Sequence, residues 1–134
     1  MTVVFDTSVV VSAVFWPAST ARRALAAVAR RRAQMAVTAA VLAEYELTLA
    51  EVGLRFPEMN WRGSLAYIKT KAVQVVAAPI GKARSRDPKD DVMLACALSA
   101  GAQFVVSSDR DLLVLEKPFG VSIVTPVEFL RAVG

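Results

Sequence analysis

The chain has 134 residues, 55% of them hydrophobic and 21% charged, a balance that fits one compact domain and excludes a disordered chain. It has no histidine and a single cysteine, which excludes Ser-His and Cys-His nucleophilic triads, His-ligated zinc and an intrachain disulfide framework. The formal charge of +4 favours a polyanionic partner. Thr2–Phe5 is a β-branched and aromatic run suited to a buried strand that ends at Asp6. Ser8–Phe15 stays apolar and is expected to turn into a helix before Pro17. Ser19 or Thr20 reads as the N-cap of a second helix, TARRALAAVARR, with apolar residues at helical spacing and Arg22, Arg23, Arg30 and Arg31 on the polar side. Met35–Val37 reads as a strand, and Thr38 as the N-cap of a helix reaching roughly to Val52.

Pro57 and Asn60 mark a loop, followed by a helix over Trp61–Lys71 and a strand over Gln74–Ala77. Pro79 to Pro88 reads as an exposed basic loop. Pro88 suits the first turn of the next helix, through DDVMLACALSA, and Gly101 suits its C-terminal cap. Within that helix Cys96 reads as a buried small hydrophobe. Phe104–Val106 is the next expected strand, then a short helix over Asp109–Leu115, a strand over Ser122–Val124 and a closing helix over Val127–Val133. With no repeat, low-complexity tract or linker, residues 1–134 read as a single α/β domain around a mostly parallel sheet. No apolar run approaches the roughly 20 residues needed to span a membrane. The start, MTVVFDTSVV, lacks the basic head and small-residue cleavage site expected of a signal peptide, and the single cysteine makes a reducing cytoplasm the expected compartment.

This layout brings acids toward one rim, because open parallel sheets gather functional groups beyond the carboxyl ends of their strands. Asp6 follows the first strand, Asp109 follows FVVSS, and Asp91 lies in the first turn of a helix. Glu44 falls in the middle of the helix AVLAEYELTL. Carboxylates held close together repel, and a divalent cation offsets that repulsion. All-oxygen ligation points to Mg²⁺ or Mn²⁺ rather than zinc, and such ions activate water against a phosphodiester without any histidine.

The segments VVFDTSVVVSAVF, VLAEYELTL, RDPKDDVMLACALSAGAQFVVSSDRDLL and VSIVTPVEFL, in this order and spacing, strongly resemble a PIN domain. The match is nearest to the VapC-like toxin components of prokaryotic toxin–antitoxin systems and covers nearly the whole chain. The resemblance implies a Rossmann-like three-layer α/β/α sandwich, Mg²⁺- or Mn²⁺-dependent endoribonuclease activity and a small antitoxin as partner; a homodimer is also expected. It implies Asp6, Glu44, Asp91 and Asp109 as the catalytic and metal-binding acids. Ser8 would help orient Asp6, Ser107 or Ser108 would precede the last acid, and Asp111 would be accessory.

Each residue also has a plainer reading. Asp6 and Asp109 suit helix N-caps, Asp90 and Asp91 both suit a helix N-terminus, where the dipole favours acids, and Asp90 or Asp87 is the alternative to Asp91 as ligand. Glu46 lies two positions from Glu44. Arg22, Arg23, Arg30, Arg31 and Arg32 read as a solvated face, whereas Arg84, Arg86 and Lys89 flank Asp91 and stand open between phosphate contact and solvation. Trp16 and Trp61 read as packing or interface residues. Among rival functions, aspartyl-phosphate enzymes fit poorly: Asp6-Thr7-Ser8 is not Asp-x-Asp, and VSIVTP carries no late lysine. A catalytically silent RNA- or protein-binding scaffold would be expected to lack one of the acids. An RNA-processing nuclease without a toxin role stays open.

Overall fold

The computed structural model of the protein describes residues 1–78 and 88–134. Five strands form one all-parallel sheet: β1 (Thr2–Phe5), β2 (Gln34–Val37), β3 (Val73–Gln74), β4 (Phe104–Val106) and β5 (Ser122–Val124), in the spatial order β3-β2-β1-β4-β5. Helices α1 (Thr7–Phe15), α2 (Thr20–Ala29), α3 (Ala39–Gly53), α4 (Trp61–Lys71), α5 (Pro88–Ala100), α6 (Arg110–Leu113) and α7 (Pro126–Val133) complete the expected α/β/α architecture. Parallel strands must be covered on both faces, which is why β1 reads as an uninterrupted apolar run. Val3, Val4 and Phe5 are fully buried.

Packing fixes where the helices lie. α5 rests on β1, β2 and β4 and touches α3, while α7 rests on β4 and β5 and touches α2. Phe129 of α7 meets Phe5 edge-on, with centroids 5.7 Å apart, and so ties the closing helix to the central strand. The buried residues of α3 are Val41, Tyr45, Leu49 and Gly53, a single row with a spacing of one turn. Among the described residues no helix is long and apolar enough to cross a membrane.

The helix starts follow their capping residues. Ser19, Thr38 and Asn60 each accept a hydrogen bond from a backbone N–H in the first turn of the helix they open. Thr125 and Glu128 form a reciprocal capping box at α7, which begins at Pro126, one residue before the expected Val127. Gly101 adopts the left-handed conformation (φ 65°) that closes α5.

Two expected elements are corrected. The strand expected over Gln74–Ala77 is only Val73–Gln74, at the sheet edge beside β2. One further bond, from Val75 N to Val37 O, holds the chain before it leaves the sheet, and Val76 is 92% exposed. The helix expected over Asp109–Leu115 is the shorter α6, with Asp109 outside it as N-cap. The basic loop expected from Pro79, including Arg84, Arg86 and Asp87, lies outside the described residues.

Candidate active site

Strand register builds the centre of the site. β1 and β4 pair with Phe5 opposite Val106, and the Asp6 N–H donates to Val106 O at 2.9 Å. The residues that follow, Asp6 and Ser107, therefore emerge side by side at the carboxyl rim. Both are buried: Asp6 is 6% exposed and Ser107 is fully buried.

Asp6 stands at the N-cap position of α1, yet its side chain makes no capping bond. Its Oδ2 instead accepts from the Ser8 hydroxyl at 2.7 Å and from the Ser107 hydroxyl at 2.9 Å. Each hydroxyl in turn accepts a backbone N–H from the turn after β4: Ser108 N to Ser8 at 3.3 Å and Asp109 N to Ser107 at 2.9 Å. A hydroxyl that already accepts is a better donor, so the two chains reinforce each other at Asp6. The plain N-cap reading of Asp6 does not describe this carboxylate.

Electrostatics agree with the geometry. Burial holds the Asp6 carboxyl above its ordinary value; bonds from Ser8, Ser107 and the Thr7 backbone oppose this, and the charge of Asp109 pushes it higher again. Asp6 and Asp109 are thus electrostatic neighbours. Asp109 also does the plainer work expected of it, accepting from Asp111 N at 2.9 Å as the cap of α6. Asp111 is half-buried in the first turn of that helix.

The remaining acids arrive on separate helices. Glu44 is half-buried in the second turn of α3, whereas Glu46 is exposed. Asp91 is half-buried in the first turn of α5, and its neighbour Asp90 is 2% exposed. Among the described residues, no group of three or more acidic or cysteine side chains stands ready as a metal cradle. What the fold brings together outright is the pair Asp6 and Asp109 with the hydroxyls of Ser8 and Ser107.

The donor chemistry still fits a hard divalent ion. Every side-chain group in this pair and its hydroxyl support offers oxygen, which suits Mg²⁺ or Mn²⁺ and not a soft metal. The Thr7 hydroxyl, next to Asp6, is buried and has no hydrogen-bond partner among the described residues, an oxygen left for water or a ligand to satisfy. Cys96, by contrast, is fully buried, and burial pushes its thiol up to about 11, which leaves it unreactive.

One residue not singled out from the sequence belongs to this description. Tyr45, fully buried beside Glu44, donates its hydroxyl to the carbonyl of Phe5, the residue before Asp6. The signal was present in the sequence as a tyrosine on the apolar row of α3, because a buried phenol needs a polar partner.

Comparison with known proteins gives the class. The profile of the PIN domain family matches residues 2–111, and the chain belongs to that family. PIN domains are generally nucleases. The crystal structure of PAE2754 from Pyrobaculum aerophilum superposes with a TM-score of 0.58 over 97% of this chain and 87% of that one, at 16% identity. That likeness concerns the fold. No curated protein matches the sequence.

Proposed function

We propose that the protein is a metal-dependent endoribonuclease and the toxin of a toxin–antitoxin pair. The observation that carries the nuclease reading is Asp6: a carboxylate buried at the end of the central strand, fixed by two hydroxyls and set beside a second carboxylate. Holding a buried negative charge next to another is costly, and a divalent cation is the natural offset. The toxin role and a small antitoxin partner rest on the sequence resemblance to VapC-like proteins, and a cytoplasmic setting rests on the single cysteine; a homodimer is part of the same proposal.

In this mechanism Asp6 and Asp109 would hold Mg²⁺ or Mn²⁺, with Glu44 and Asp91 completing the set. The bound ion supplies an activated water and charge stabilisation for in-line attack on the phosphodiester. Ser8 and Ser107 keep the Asp6 carboxylate in one orientation by donating to Oδ2. Asp109 accepts from the Asp111 N–H, which orients its carboxylate. Cleavage would leave a 3′-hydroxyl and a 5′-phosphate.

The test is incubation of purified protein with single-stranded RNA and Mg²⁺ or Mn²⁺, with product ends identified. Cleavage is expected to need the ion, to stop with EDTA and to be lost in Asp6→Asn. Equal cleavage under all these conditions would contradict the mechanism. The toxin role predicts growth arrest on induced expression of the wild type and none with Asp6→Asn.

A further inference from the structure

The acids of the proposed site sit on different elements, so something must fix how α3, with Glu44, stands relative to β1, with Asp6. Among the described residues, Tyr45 carries a polar group across that junction. Tyr45 lies in the middle of the buried row Val41, Tyr45, Leu49 and Gly53, and it is itself fully buried. Its hydroxyl spans 40 residues of sequence to reach the Phe5 carbonyl. The residues bonded together, Tyr45 and Phe5, are the immediate neighbours of Glu44 and Asp6.

Apolar packing alone would be served as well by phenylalanine. Burying a phenol costs free energy unless its hydroxyl is bonded, so tyrosine here makes one axial position of α3 better than its neighbours. Apolar contacts are non-directional and do not single out one partner atom, whereas a buried hydrogen bond is directional and costly to break. Consecutive helix residues are locked to a common backbone, so fixing Tyr45 along β1 fixes Glu44 as well.

We infer that Tyr45 is a positioning residue, whose hydroxyl on the Phe5 carbonyl sets Glu44 against Asp6 and so assembles the carboxylate site. This rests on the nuclease reading above for its functional consequence, but the placement itself is independently measurable.

The experiment compares Tyr45→Phe with wild type and with Leu49→Ala, which loosens the same row of α3 without touching the hydroxyl. Positions that orient metal-binding groups typically cost 10- to 100-fold in metal affinity or activity. Tyr45→Phe is therefore expected to weaken Mn²⁺ binding by roughly 10-fold and to lower kcat similarly, with KM for RNA little changed. Crystal structures of the variant and wild type should show a changed separation between Glu44 and Asp6. Leu49→Ala should melt earlier yet keep more of the Mn²⁺ affinity than Tyr45→Phe. An unchanged Glu44–Asp6 separation, or equal loss of Mn²⁺ affinity in both variants, would overturn the inference. If the wild type neither binds Mn²⁺ nor cleaves RNA, the nuclease reading fails, and the crystallographic separation alone decides the placement claim.

Discussion

At the scale of single residues, Asp6 carries the sharpest physical consequence. Its carboxyl titrates above the ordinary value of 3.8 because burial penalises the charged form. The folded protein therefore binds this proton more tightly than the unfolded chain. The contribution of Asp6 to stability is favourable below the ordinary value and is lost as pH rises through the raised folded value. Asp6→Asn, which never acquires the charge, should melt at a higher temperature than wild type at pH 7 without divalent ions. The difference should shrink as pH falls below about 4. Calorimetry of both proteins from pH 3 to 8 checks this; a variant less stable at pH 7 would show that the hydroxyls overcompensate for burial. The same residue was legible in the sequence as a strand-end acid, and the resemblance also gave Ser8 as its orienting hydroxyl, but the bond from Ser107 was not legible. Ser8 and Ser107 meet at Oδ2 only because the β1–β4 register brings residues 101 positions apart to one point.

Elements behave as their local signals dictate, except where tertiary position overrides them. Gly53 ends the buried row of α3 under the Trp61 ring, and a Cβ there would lie 2.6 Å from Trp61 Cδ1. Gly53→Ala should therefore destabilise the protein despite alanine's better helix propensity, by about 1–3 kcal/mol as for other overpacked sites. Urea unfolding measures this, and a neutral or stabilising result would mean that the indole moves aside freely. The packing role expected for Trp61 is thus visible, while Trp16 is half exposed beside Phe15 and Phe56. Caps at Ser19 and Thr38 and the proline start of α5 were readable because a short polar side chain or a missing N–H acts locally. The edge strand was not readable, since the apolar run Val75–Ala77 carries no sign that the sheet ends beside it. The choice of Glu44 over Glu46 depended on family spacing in the sequence; in the fold one is half-buried and the other exposed.

For the whole molecule, the parallel sheet and its rim were foreseeable from alternating strands and helices, and the family match agrees with that reading. The site was legible as residue types and less so as geometry: a pair of acids is assembled, and the other two lie on helices whose placement depends on tertiary contacts. Arg30, Arg31 and Arg32 are exposed at the end of α2, and Lys69 and Lys71 occupy the last turn of α4, positions that helix dipoles favour by themselves. The proposed chemistry therefore rests on the carboxylates and not on the basic surface. Isothermal titration of Mn²⁺ into wild type, Asp6→Asn, Asp109→Asn and Glu46→Gln tests it most directly. Binding is expected to weaken by roughly 10-fold or more in the two aspartate variants and to stay at the wild-type level in Glu46→Gln. The same Mn²⁺ affinity in all four proteins, or none in the wild type, would contradict it.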